Sequence, residues 1–176
     1  MKRSKWQARL SGNQPDPVLR SWLTEPDSLT ARCQRVSADF RVRLLHYGKG
    51  QPLVEEAAGC LNERQLVLVR EVVLECNGQP VIFAHTTLST AVNGRLSRWM
   101  AGLGNRSLGS LLFAHPGFRR SAIEYLRLDR HHLLYRRAAA VSEVGKTLWA
   151  RRSLHCLGKQ RVLVTEVFLP EITCLK

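Results

Sequence analysis

The sequence predicts an α+β fold: a single domain in which helices pack against an antiparallel β-sheet and enclose a buried ligand pocket. Three observations carry this. Two segment pairs, "QLVLVREVVLE" with "VIFAHTTL" and "TLWARRSLHC" with "RVLVTEVFL", are apolar, rich in β-branched residues and separated by tight-turn residues. Strands outnumber helices and are joined mostly by hairpins rather than long crossovers. Finally, two strands each carry one charge on an otherwise apolar face, and the charges are opposite in sign.

In chain order, residues 1–20 read as an irregular N-terminal segment of a domain spanning 1–176. A short helix starts at about Leu29, with Asp27 and Ser28 as cap candidates in "PDSLTARCQ". "DFRVRLLHY" alternates Phe40, Val42 and Leu44 against Arg41 and Arg43, a strand with one solvated face. "VEEAAGCLNER" is a connector. In the first hairpin Asn77 and Gly78 supply the positive φ values that a tight turn needs. "NGRLSRWMAGLGN" places Leu96, Trp99, Met100 and Leu103 on one helical face, with Gly102 and Gly104 as stop signals. A second short helix begins in "RSLGSLLF", "SAIEYLRL" is a strand, and "HHLLYRRAAAVSEVG" is a helix or irregular crossover. "LGKQ" turns the final hairpin.

Composition narrows the function classes. The longest apolar runs fall far short of the ~20 residues a membrane helix needs, so no span is expected. The basic start has no apolar stretch behind it, which makes the cytoplasm the expected location. The net charge of +13 comes from 27 Lys and Arg against 14 Asp and Glu. These cations are scattered in pairs ("FRR", "YRR", "ARR"), and no helix-turn-helix, zinc finger, RNA-recognition signature or phosphate loop accompanies them, so no nucleic-acid partner is expected. The five cysteines, Cys33, Cys60, Cys76, Cys156 and Cys174, form no CxxC or Cys/His cluster and read as reduced thiols packed as small apolar groups. His131 and His132 are adjacent and diverge on either a helix or a strand, so no metal site is expected.

Alternation locates the charges. Counting by twos, Leu66, Leu68, Arg70, Val72 and Leu74 share one face of their strand, and Val162, Val164, Glu166 and Phe168 share one face of theirs. A buried carboxylate or guanidinium is costly without a partner. Two readings follow from spacing alone: an Arg70–Glu166 ion pair inside the core, or a closed pocket binding a small polar molecule between them.

The pieces "SWLTEPDSLT", "LVRE" with "NGQP", "SLGSLLF", "IEYLR", and above all "LWARRSL" with "GKQRVLVTEVFLP" occur in one order over residues 21–170. In these the sequence resembles the chorismate pyruvate-lyase family, bacterial enzymes that make 4-hydroxybenzoate for ubiquinone synthesis. The resemblance implies that Arg70 and Glu166 carry the chemistry. It implies substrate contacts from Arg70, from Glu166, from the backbone amide of Leu108, and from Leu29 as a hydrophobic wall. A planar guanidinium fork and a helix N-terminus suit a ring carboxylate, leaving Glu166 for the 4-hydroxyl.

Three departures stand out: Leu29 where the family often has Met, Ser107 where it often has Pro, and His85 where relatives carry an arginine. The last resemblance would place His85 beside the pocket, facing the enolpyruvyl carboxylate. The implied reaction, chorismate to 4-hydroxybenzoate plus pyruvate, is redox-neutral and consumes no water, so no cofactor or metal is expected. The implied partners are small molecules, chorismate and 4-hydroxybenzoate, and a monomer is expected. The competing readings are a non-catalytic domain that binds small aromatic acids, as effector-sensing modules of transcription regulators do, and a chorismate-converting enzyme releasing 3-hydroxybenzoate.

Overall fold

Alternating apolar and polar residues build seven strands that join in one antiparallel sheet. The computed structural model describes residues 5–10, 14–57, 66–89, 95–109, 112 and 117–175. The strands are β1 (Phe40–Gly50), β2 (Val67–Cys76), β3 (Gln79–Ser89), β4 (Arg119–Arg120), β5 (Glu124–Asp129), β6 (Thr147–Leu157) and β7 (Gln160–Phe168). Their order is β1-β2-β3-β7-β6, with β4 and β5 pairing successive stretches of the outer edge of β6. Both predicted hairpins form. Asn77 and Gly78 turn β2 into β3 at φ 51° and 79°, and Gly158 turns β6 into β7 at φ 57°.

The helices are α1 (Pro17–Leu23), α2 (Leu29–Val36), α3 (Val54–Ala57), α4 (Arg95–Ala101) and α5 (Leu133–Ala139). Ser28 rather than Asp27 caps α2, its Oγ accepting from the Ala31 amide at 3.3 Å. Helix α1 begins inside the stretch expected to be irregular: Asp16 caps it by accepting from the Leu19 amide, and Pro17 sits in the first turn, where its missing N–H costs nothing. Trp22 and Leu23 are buried there. A further helical turn begins at residue 108. The 58–64 part of the predicted connector, with Cys60, the first residue of the predicted strand, Gln65, and residues 110, 111 and 113 of "SLGSLLF" lie outside the described residues.

The sheet separates two apolar layers. On one face Val72, Leu74, Ile82, Ala84 and Phe168 meet Trp22, Leu23, Leu29 and Cys33 of α1 and α2. Farther along the same face Leu88 and Val162 meet Leu96, Met100, Leu103, Leu108 and Leu112. On the other face Val73, Phe83, Ala150 and Val167 meet Leu134 and Ala138 of α5. Cys33 and Cys76 are buried as expected, whereas Cys174 is exposed; these and Cys156 are free thiols.

Candidate active site

The first face of the sheet is not filled at its centre. Between the two apolar groups lies a cavity walled by the start of α2, by residues 107–109 and 112, and by β1, β2, β3, β4, β6 and β7. Its empty space, opening included, is about 570 Å3. The sequence-predicted residues Arg70, Glu166, Leu29 and Leu108 all line it.

Arg70 enters from β2 and is 2% exposed. Its Nη2 donates to the carbonyls of Gly104 and Arg106 at 3.0 and 2.7 Å, while its buried Nε has no hydrogen-bond partner among the described residues. Burial lowers its pKa. A guanidinium anchored at one nitrogen and unsatisfied at another is arranged to receive an anion.

The Arg70–Glu166 ion pair, the other reading from spacing, does not form. Arg70 is in register with Thr86, and Thr86 with Val164, so Glu166 sits two strands away and two residues further along. Standard sheet spacings make that about 12 Å between Cα atoms. Glu166 pairs instead with its direct cross-strand neighbour Arg151, whose Nε donates to Glu166 Oε2 at 2.7 Å. Arg151 is 1% exposed, and its Nη1 donates to the carbonyls of Glu25 (2.5 Å) and Leu23 (3.4 Å). The carboxylate is therefore held by a buried cation that is itself satisfied by backbone.

Two helix starts converge on the cavity. Ser107 Oγ donates to Thr30 Oγ1 at 2.8 Å, tying the 108 turn to α2. Gly109 permits that approach, because a Cβ there would lie 2.9 Å from Ser28 Oγ. Ser107 thus fastens this helix start by a hydrogen bond.

Besides Arg151, the lining groups Arg120, Ser153 and His155 escaped the sequence reading. Arg120 of β4 donates from Nε to Ser153 Oγ at 3.0 Å and from Nη1 to the Pro26 carbonyl at 2.5 Å. Ser153 Oγ lies 3.2 Å from His155 Nε2. Burial, with Arg120 and Arg151 nearby, pushes the His155 pKa down to about 4, so the ring is neutral at pH 7. The signal was present: 151, 153 and 155 alternate onto the same face that Glu166 occupies through the β6–β7 hairpin.

His85 is a correction. Ala84 and Thr86 line the cavity, so the intervening side chain points through to the opposite face. There its Nδ1 lies 2.7 Å from Glu71 Oε1 and its Nε2 lies 3.3 Å from Glu56 Oε1, with Arg137 also bonded to Glu71. Burial disfavours the imidazolium, but Glu56 and Glu71 outweigh it and raise the pKa to about 9. His85 is a structural cation fastening α3 to the back of the sheet.

No group of three His, Cys, Asp or Glu placed to hold a metal ion occurs among the described residues. No described helix is long and apolar enough to cross a membrane.

Comparison with known proteins fits this geometry. The model for the family described as chorismate lyase matches residues 1–174. A protein of Dechloromonas aromatica (strain RCB), named probable chorismate pyruvate-lyase, is 72% identical over 176 residues, 100% of both chains. One of the same name from Methylobacillus flagellatus is 41% identical, covering 97% of this chain and 95% of that one. Among solved structures, a GntR-family transcriptional regulator from Bacillus cereus aligns with TM-score 0.54 at 12% identity, over 76% of this chain and 94% of that one. The ligand-binding domain of a putative GntR-family regulator from Bordetella bronchiseptica aligns at 0.53 and 14% identity, over 77% and 85%. These two likenesses concern the fold alone. The match over nearly all of the sequence, together with relatives aligned from end to end, shows that this chain belongs to the chorismate lyase family.

Proposed function

We propose that the protein is a chorismate pyruvate-lyase, converting chorismate to 4-hydroxybenzoate and pyruvate, the first committed step toward ubiquinone. The observation that carries this is the polarity of the cavity. A buried guanidinium with an unpartnered Nε stands at one end, and an arginine-held carboxylate stands at the other, with apolar side chains between. A planar ring with a carboxylate and a para hydroxyl matches that polarity. In this reading Arg70 and the Leu108 amide take the ring carboxylate, Leu29 packs on the ring, and Glu166 accepts from the 4-hydroxyl.

The reaction breaks the C3–O ether and the C4–H bond. The ring becomes aromatic, and the hydrogen ends on the methylene carbon of the departing enolpyruvate, giving the methyl group of pyruvate. Atoms and electrons balance without water or an oxidant. The protein fixes the ring so that the ether is poised to leave, and its arginines stabilise negative charge growing on the enolpyruvyl oxygen. Glu166, bound to Arg151, is placed as a hydrogen-bond acceptor or base at C4 rather than as a proton donor. A monomer acting in the cytoplasm belongs to the same proposal.

The test is incubation of the purified protein with chorismate and identification of the aromatic product. Equimolar 4-hydroxybenzoate and pyruvate are expected, unchanged by EDTA. Release of 3-hydroxybenzoate would overturn the reading, and so would binding of 4-hydroxybenzoate without turnover, the behaviour of an effector-sensing domain.

A further inference from the structure

We propose that Arg120, positioned by Ser153 and the Pro26 carbonyl, binds the second carboxylate of the substrate, the one on the enolpyruvyl side chain, and so distinguishes substrate from product. This rests on the function proposed above, which makes the substrate a dianion and the bound product a monoanion at its ring carboxylate.

Charge balance gives the first argument. Among the described residues, three guanidiniums, Arg70, Arg120 and Arg151, line the cavity with one carboxylate, Glu166, and the neutral His155 adds nothing. A lining with more cations than carboxylates suits a ligand with two carboxylates better than one with a single carboxylate.

Position gives the second. The ether oxygen is ortho to the hydroxyl and meta to the ring carboxylate, so with the hydroxyl on Glu166 the enolpyruvyl group must lie to the side of the Glu166 end. Arg120 occupies that side: it is in register with His155 of β6, bonds Ser153, and is close enough to Glu166 and Arg151 for both to act on its own ionisation. Arg70 stands away from it, across β3 and β7.

Arg151 spends its Nε on Glu166 and its Nη1 on the Leu23 and Glu25 carbonyls. His85, the residue expected to meet this carboxylate, is on the opposite face of the sheet between two glutamates.

The experiment compares Arg120→Gln and Arg120→Lys with the parent. For Arg120→Gln, KM for chorismate should rise at least tenfold while Kd for 4-hydroxybenzoate stays within twofold; Arg120→Lys should recover part of the loss. A merely structural arginine would weaken both ligands together. An equal loss for chorismate and 4-hydroxybenzoate, or an unchanged KM, overturns the proposal.

Should Arg120→Gln fail to fold, the parent decides the matter with 3-(carboxymethoxy)-4-hydroxybenzoate, a stable dianion. It should bind at least tenfold tighter than its ester at the carboxymethoxy group, and in crystals that group should contact Arg120. Equal binding, or a carboxymethoxy group seated elsewhere, overturns it. Turnover of chorismate by the parent is scored separately, so failure of this assignment and failure of the proposed function are told apart.

Discussion

Arg70→Ala removes the cation proposed to meet the ring carboxylate, and the structure fixes what else it removes. The parent side chain is 2% exposed and donates from one nitrogen to the carbonyls of Gly104 and Arg106. Both of those residues are exposed, so water reaches their carbonyls once the guanidinium is gone. The stability cost is then about 1 to 2 kcal/mol, mostly lost packing of the buried stem, or roughly 2 to 8 °C in Tm for a domain of this size. The functional cost is larger. A charge-assisted contact to a carboxylate in a site shielded from water is worth about 2 to 4 kcal/mol, so kcat/KM should fall about 30- to 1000-fold. Steady-state kinetics, product titration and thermal melting on the same preparation separate the two effects. The loss should persist after correction for the folded fraction, and Kd for 4-hydroxybenzoate should rise in step. Were Arg70 only a core cation, the variant would lose stability while kcat/KM per folded molecule stayed within threefold of the parent, and the placement of the ring carboxylate would be refuted.

Glu166→Gln keeps the shape and hydrogen bonding of the side chain proposed to meet the 4-hydroxyl but removes its charge. The kcat should fall by about 10² while Kd for 4-hydroxybenzoate stays within about tenfold and discrimination against benzoate weakens; parental kcat and selectivity would make Glu166 a tolerated core charge. Gly109→Ala puts a methyl group 2.9 Å from Ser28 Oγ and so displaces the start of α2; kcat/KM should drop about tenfold or more, and an unchanged value would show that the two helix starts need not meet. His85, with its pKa raised to about 9 against about 6.5 unfolded, stabilises the fold fully below pH 6.5 and loses that contribution as pH rises through 9. Melting from pH 6 to 10 should therefore show a steeper fall in Tm for the parent than for His85→Gln, and parallel curves would contradict the buried ion cluster.

Local patterns made the hairpins legible, because alternation and the Asn-Gly turn are properties of neighbouring residues. The same arithmetic placed Arg70 and Glu166 on cavity-facing sides before any pairing was known. It would also have removed His85 from the pocket, since Ala84 and Thr86 flank it; the resemblance to relatives with arginine there overrode the alternation. The partner of Glu166 was harder. "ARRSL" offers two adjacent arginines, and only the register Arg151↔Glu166 shows which one faces the carboxylate. Arg120 was illegible for a different reason: its two-residue strand is too short to carry a pattern, and it reaches the pocket through pairing with β6. Helix α1 escaped because it is only seven residues long and rests on a cap and two buried side chains rather than on a repeating stripe.

The central claim is that one cavity holds the aromatic ring with its carboxylate on Arg70 and its hydroxyl on Glu166. The most direct measurement is a crystal structure of the protein with 4-hydroxybenzoate bound. The ring carboxylate should lie within hydrogen-bond distance of the Arg70 guanidinium and the Leu108 amide, with the hydroxyl against the Glu166 carboxylate. A ring bound in the reverse sense, its carboxylate on Arg120 or Arg151, or bound outside this cavity, would contradict the account.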